Sequence, residues 1–301
     1  MTIVQRTLQK FDIKVIRQYA PKIRPAILRL WSERARRLVV EDITYLSDGL
    51  KVKCFLVYPK RHRGRLPCII YNRGGNGDFS DLFPTTVYRI MSWLADQGYV
   101  VIGSRYRGNG GGEGREDYGE SDVHDVTNLI PVLKKLPFAD TQRIGMVGAS
   151  RGGMMTYLAL RKLRTLKAAA VIGGSSDLVR QRKTRPRMDQ YVFCKYISER
   201  GSAYLQALRN RSAIYWPAKL APKTPLLLQH GTADWRVDPD DSIRLAQALV
   251  KLHRPVRLSL YEGADHSLEE HLDESRDELL KWLDRFVKYG EKLPNTKPHG
   301  L

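Results

Sequence analysis

Short apolar runs recur along the chain, separated by stretches whose apolar residues fall at helical spacing. Residues 39–45 and 50–58 alternate or run apolar around Ser47-Asp48-Gly49, which predicts an antiparallel hairpin at a sheet edge. Further runs at 67–72, 144–147, 168–173 and 224–229 read as buried strands, and 99–103 and 256–261 as strands too. Between them, 84–98, 121–136, 240–252 and 267–288 read as helices, as does the stretch after Gly152. Pro131 should kink the second of these, because it has no amide to give the preceding turn. Strands alternating with helices imply an α/β fold, a mostly parallel sheet covered on both faces.

Three segments depart from this alternation. Residues 1–38 are basic and helical in pattern, with Phe11, Val15, Ile16 and Tyr19 at helical spacing, then Ile23, Ile27, Leu30 and Trp31. Pro21 and Pro25 divide them into two helices. Such an arm could lie on a membrane surface or dock on the domain, and docking is the reading preferred here. Residues 175–222 are rich in arginine and aromatics. They read as a helical excursion over the strand ends, either a wall of the substrate pocket or a solvated basic insertion. Residues 291–301 form a Pro- and Lys-containing tail. The domain division is thus an arm over 1–38, a catalytic domain over 39–290 and a tail over 291–301.

Composition narrows the class. The 301 residues are 42% hydrophobic and 28% charged, enough for one large globular α/β domain. Three scattered cysteines, Cys54, Cys68 and Cys194, fit neither a disulfide framework nor a cysteine metal site, and a cytoplasmic location is expected. No signal peptide or membrane-length apolar run is evident. Lys and Arg outnumber Asp and Glu by 51 to 32, a net charge of +19. Such a field suits acidic partners. The basic residues are spread along the chain without a zinc finger or an RNA-binding signature, so a solvated cationic surface is expected rather than nucleic-acid binding. Neither a cofactor nor a metal is expected. His266 and His271 are five apart, off one helical face, so no zinc pair of the His-Glu-x-x-His kind exists. The sequence leaves oligomerisation open.

The candidate chemistry centres on residues 143–153. A strand there runs into a tight turn and a helix, with Gly148-Ala149-Ser150-Arg151-Gly152 at the turn. This is the pattern of a nucleophile elbow, in which small residues two positions either side of a strained Ser let strand and helix pack closely. The alternative is a tight turn with an incidental serine. Arg73-Gly74-Gly75-Asn76-Gly77 leaves the 67–72 strand, and its amides could approach a ligand. The glycine loop at 105–114 lacks the residues of a phosphate loop and reads as a flexible rim. Asp234 follows the 224–229 strand, and His266 follows the 256–261 strand. Parallel strands bring these four loops to one edge of the sheet. The order Ser, Asp, His is that of an α/β-hydrolase. Ser150 is then the nucleophile and His266, with a reference pKa of ~6.5, its base. Asp234 orients the imidazole, and the amides of Gly74 and Arg151 bind the oxyanion. Asp238 and Asp265 are the rival acids. His230 reads as a structural cap at a strand end.

With these residues in place, the sequence resembles the catalytic domain of the prolyl oligopeptidase family of serine peptidases over roughly residues 40–290. Gly148-Ala149-Ser150-Arg151-Gly152-Gly153 matches its nucleophile element. His230-Gly231-Thr232-Ala233-Asp234 with Val237 matches the element holding the triad acid, and Gly263 with His266 that of the triad base. Tyr106-Arg107-Gly108 and Ser212-Ala213-Ile214-Tyr215 resemble further landmarks. Family peptidases usually place a β-propeller before this domain, whereas residues 1–38 read as a helical arm. The resemblance implies a serine peptidase cleaving peptide or amide bonds through an acyl-enzyme. A carboxylesterase acting on small acyl esters is the alternative, and a non-catalytic basic binding module is the alternative of another class. Arg73 and Tyr106 are expected at the substrate. Arg73 and Arg151 flanking the site suggest a small peptide or acyl substrate bearing a carboxylate.

Overall fold

The computed structural model describes residues 2–300; Met1 and Leu301, the outer ends of the expected arm and tail, lie outside the described residues. The chain divides into two compact units, Met1–Glu116 with His124–Ile144, and Asp117–Val123 with Gly145–Leu301.

The first unit holds β1 (Ile3–Leu8), β2 (Leu38–Ser47), β3 (Leu50–Pro59), β4 (Leu66–Asn72) and β5 (Val100–Ser104), in the order β1-β2-β3-β5-β4. β2 and β3 form the expected hairpin, with Ser47 opposite Leu50. Its two turn residues, Asp48 and Gly49, both have positive φ (51° and 83°), the conformation that matches the strand twist. β3 pairs antiparallel with β5, and β5 pairs parallel with β4.

The arm is only partly helical. Residues 3–8 form β1, an edge strand antiparallel to β2, and α1 (Ile13–Tyr19) and α2 (Pro25–Arg37) follow. α2 starts with Pro25 in its first turn, where a missing amide costs nothing. It buries Leu28, Trp31 and Arg34, and Arg37 grips Asp96 through two hydrogen bonds of 2.9 and 2.7 Å. Phe11 meets Tyr88 edge-on and Tyr19 stacks on Phe83. The helix expected over 121–136 is two short pieces, Val123–Thr127 and Leu129–Leu133. The break at Asn128 follows from Pro131, which cannot donate to the carbonyl four residues back.

In the second unit the chain emerges from β6 (Ala139–Ala149) and continues into β7 (Ala168–Ile172), β8 (Leu226–Gly231) and β9 (Val256–Tyr261), paired parallel in that order. Helices cross between them: α3 (Arg151–Lys162), α4 (Leu178–Thr184), α5 (Asp240–Lys251) and α6 (Leu272–Leu283). α3 is buried from Arg151 through Leu160. α6 turns Leu279, Trp282 and Leu283 inward, and the Trp282 indole donates to the Ala169 carbonyl at 3.2 Å. The Ala168-Ala169-Ala170 run has the small side chains that admit so close an approach. The sheet is mostly parallel and flanked by helices, the architecture expected of an α/β-hydrolase. No helix among the described residues is long and apolar enough to cross a membrane.

Candidate active site

Ser150 joins β6 to α3 with φ 56° and ψ −123°, a conformation that costs a non-glycine residue of order 1–3 kcal/mol. Its neighbours explain how the chain holds it. A Cβ on Gly148 would stand 2.1 Å from the Gly152 carbonyl oxygen and 2.3 Å from Thr156 Oγ1. One on Gly153 would stand 2.5 Å from Val171 Cγ1. Only glycine fits at either place, so the close strand–turn–helix packing read from the sequence is real. The Ser150 amide donates to the Ile172 carbonyl at 2.9 Å, pinning the elbow to the end of β7.

Asp234 leaves β8 in a turn that consumes its whole carboxylate. Oδ1 accepts the amides of Arg236 and Val237 at 2.8 and 3.0 Å. Oδ2 accepts His266 Nδ1 at 2.7 Å and His230 Nε2 at 3.1 Å. Burial alone would raise the pKa of this carboxyl. The bonds from His230, His266 and the Val237 amide outweigh it and hold Asp234 well below the usual carboxylate range. Asp234 is thus a fixed anion, and it fixes the His266 tautomer by accepting a hydrogen bond from Nδ1–H, which leaves Nε2 as the accepting nitrogen.

Gly173 links the two halves of the constellation. It follows Ile172, the acceptor of the Ser150 amide, and has φ 53°. A Cβ there would lie 3.2 Å from both Asp234 Oδ2 and His266 Nδ1. The Asp–His pair therefore packs on the backbone beside the elbow. Of the rival acids, Asp238 pairs with Arg180 at 2.8 Å, and Asp265 caps the Ser267 amide at 2.6 Å.

His230 was expected only as a strand-end cap. It is fully buried, and its Nε2 is shared between Asp234 Oδ2 and the Val237 carbonyl at 2.9 Å. A carbonyl can only accept, so Nε2 carries the proton. Nδ1 lies 2.7 Å from Ser242 Oγ. The spacing His230-x-x-x-Asp234 was the available signal. Gly173-Gly174, glycines directly after a strand, was another.

Arg73, Tyr106 and the Arg151 side chain, expected at the substrate, are each enclosed by protein partners. Arg73 is fully buried and donates to the carbonyls of Gly74, Gly77 and Arg105, with Asp81 and Glu116 as counter-ions at 3.5 and 3.7 Å. Tyr106 is fully buried too. Its hydroxyl donates to the Arg73 carbonyl at 3.0 Å and its ring lies 4.9 Å from the guanidinium. Both side chains shape the glycine loop that contains Gly74 rather than facing solvent. The Arg151 guanidinium is equally withdrawn. It meets Asp122 at 2.7 Å and lies 4.4 Å over Tyr118, in the Asp117–Val123 segment of the same unit. Arg211, also buried, holds that segment by donating to the carbonyls of Tyr118 and Asp117. Among the described residues no three His, Cys, Asp or Glu side chains gather as metal ligands.

A pocket of about 400 Å³ adjoins the pair, lined by α4 and by the turn from Thr232 to Asp241, with Asp234 in its wall. The excursion after β7 is largely helical, and its residues from Arg180 to Arg185 line part of this pocket.

Comparison with known proteins bears on the same residues. The chain is 31% identical over 225 residues to the uncharacterized peptidase YtmA of Bacillus subtilis, covering 74% of this chain and 84% of that protein. It is 25% identical over 261 residues to the acylamino-acid-releasing enzyme of Sus scrofa, covering 80% of this chain and 34% of the enzyme. Of several longer relatives the chain spans about a third, as in the 36% of YuxL from Bacillus subtilis. In fold it is similar to the acylaminoacyl peptidase of Pyrococcus horikoshii, with TM-score 0.74 and 23% identity over 89% of this chain and 44% of that one. A puromycin-hydrolyzing peptidase of Mycobacterium tuberculosis gives TM-score 0.69 and 24% identity over 81% of this chain and 38% of that one. The profile of the prolyl oligopeptidase family, peptidase family S9, matches residues 85–290, a span that contains Ser150, Asp234 and His266. The chain therefore belongs to the prolyl oligopeptidase family and is a hydrolase of the serine-peptidase type.

Proposed function

We propose that the protein cleaves peptide or amide bonds through an acyl-enzyme formed on Ser150, with His266 as base and Asp234 as its orienting anion. The observation that carries this reading is the 2.7 Å bond from His266 Nδ1 to Asp234 Oδ2, in a pair that packs on Gly173 next to the carbonyl binding the Ser150 amide. His266 Nε2 takes the hydroxyl proton as Ser150 Oγ attacks the carbonyl carbon. It returns that proton to the leaving amine as the C–N bond breaks. A water then attacks the ester by the same path, releasing the acid and restoring Ser150. The Arg151 amide, at the start of α3, is the oxyanion donor adjoining the nucleophile. The sequence pattern alone nominates Gly74 as a second, and losing one such donor typically costs ~2.7–4 kcal/mol. Cys54, Cys68 and Cys194 are all free thiols, which supports a reducing, cytoplasmic setting.

A fluorophosphonate should label Ser150, and Ser150→Ala should abolish both labelling and turnover. A wild-type protein that resists the reagent would instead be the non-catalytic module. Matched anilide and phenyl ester substrates separate peptidase from esterase. A peptidase turns over the anilide at a rate within reach of the ester, whereas turnover of the ester alone would reassign the enzyme.

A further inference from the structure

We propose that Arg185 and Arg236, both packed against Trp235, form a subsite for a substrate carboxylate in the pocket beside Asp234. This deepens the peptidase reading and rests on it. Trp235 is 70% exposed although it directly follows the buried Asp234. The two guanidinium carbons each lie 5.3 Å from its ring centre, one from the end of α4 and one from the turn. Arg185 also donates to the Arg236 main-chain carbonyl, which fixes the turn to the helix end. All three belong to the lining of the pocket.

The neighbouring charges single out these two arginines. Arg180 is neutralised by Asp238 and Asp240 at 2.8 and 3.1 Å, and Arg182 by Asp189 at 2.9 Å. Arg185 instead meets a carbonyl and the like charge of Arg236. Partial burial together with Arg236 pulls its pKa below the usual arginine value, although Tyr118 and Asp234 act against them. The carboxylate of Asp234 is already shared among two histidines and two amides. Half-buried Arg185 and exposed Arg236 thus line the pocket with no ion-pair partner among the described residues, a pairing that an incoming anion completes. The wider field agrees: residues 178–211 carry nine Lys and Arg against two Asp and Glu, which concentrates acidic substrates at the pocket. Two planar guanidinium forks beside an indole suit a carboxylate, which accepts such forks in its own plane.

Two sources supply that carboxylate, an acidic side chain or a free C-terminus. Three otherwise identical peptides separate them: one with Glu and an amidated end, one with Gln and an amidated end, and one with Gln and a free end. A ratio of kcat/KM of about tenfold or more over the amidated Gln peptide is expected for the anionic source that is used, the effect of one charge-assisted pair. Arg185→Gln should bring the ratio toward one. Arg187→Gln, which removes an exposed charge from the same segment outside the pocket lining, should leave it standing. A wild-type ratio near one for both anionic peptides overturns the subsite, and so does a ratio that survives both Arg185→Gln and Arg236→Gln. The same peptides titrated into Ser150→Ala, read by calorimetry and by Trp235 fluorescence, decide the matter without turnover. If the fluorophosphonate fails to label wild-type Ser150 while the acidic peptide still binds selectively, the peptidase reading falls and the subsite stands.

Discussion

His230 and His266 hold the same oxygen of one carboxylate, reaching Asp234 Oδ2 at 3.1 and 2.7 Å. His230 touches no reacting atom and acts by keeping Asp234 in place. His230→Phe removes that donor and should lower kcat by about 10–100-fold, the range of a hydrogen bond to a charged group, with KM little changed. His230→Gln keeps an N–H near the same place and should recover part of the loss. Steady-state kinetics on the three proteins check this; an equal fall in Gln and Phe variants would mean that only packing was lost.

Gly173→Ala tests the contact between the pair and the backbone beside the elbow. The new methyl would meet Asp234 Oδ2 and His266 at 3.2–3.3 Å, at a residue whose φ is already positive. The strain should destabilise the protein by about 1–2 kcal/mol. The displaced imidazole should slow fluorophosphonate labelling of Ser150 beyond what the stability change explains. Urea unfolding and the labelling rate, measured on the same preparation, separate the two effects.

Asp241 gives stability a pH dependence. Burial pushes its carboxyl up to about 6, against bonds from the Ser176 and Asp177 amides. Asp177 adds a like charge, while His230 and Arg180, the latter 3.8 Å away, act in the opposite sense. The folded value lies above the unfolded one of ~3.9, so between about pH 4 and 6 the folded state holds the extra proton. The favourable contribution is therefore complete below that window and lost as pH rises through it. Asp241→Asn should flatten this fall, and urea midpoints across the window for both proteins check it. Asp234 has the opposite sign: its contribution is present above the unfolded value and is lost as pH falls below it.

Arg73→Met leaves Asp81 and Glu116 buried around an apolar side chain and should cost about 3–5 kcal/mol. Arg73→Lys should not restore it, because one ammonium cannot serve the Gly74, Gly77 and Arg105 carbonyls together. Thermal unfolding of the three proteins measures both.

What could be read beforehand followed from how local each constraint is. Gly148 and Gly153 sit within three residues of Ser150, and their crowding depends only on a strand turning into a helix. The Asp234 turn follows a buried apolar run and the His266 turn a strand that is half apolar, both plain in the string. Charge partners are another matter. Arg73 and Arg151 are cations flanking a candidate site, and nothing adjacent in sequence reveals that Asp81, Glu116 and Asp122 fold onto them. β1 escaped for a related reason. It is an edge strand with one half-buried residue and five exposed ones, so its pairing with β2 leaves no alternating signature.

The Asp117–Val123 segment, which belongs with the second unit although it precedes β6, has a consequence for biosynthesis. It leaves the ribosome about thirty residues ahead of Arg151, whose guanidinium it receives through Asp122 and Tyr118. The seat of Arg151, the neighbour of Ser150, is therefore translated before either residue. A fragment begun at Gly145 would carry Ser150 and His266 yet lack that seat, so dissection of this chain at the boundary between its units should yield a protein that holds Ser150 in the wrong place.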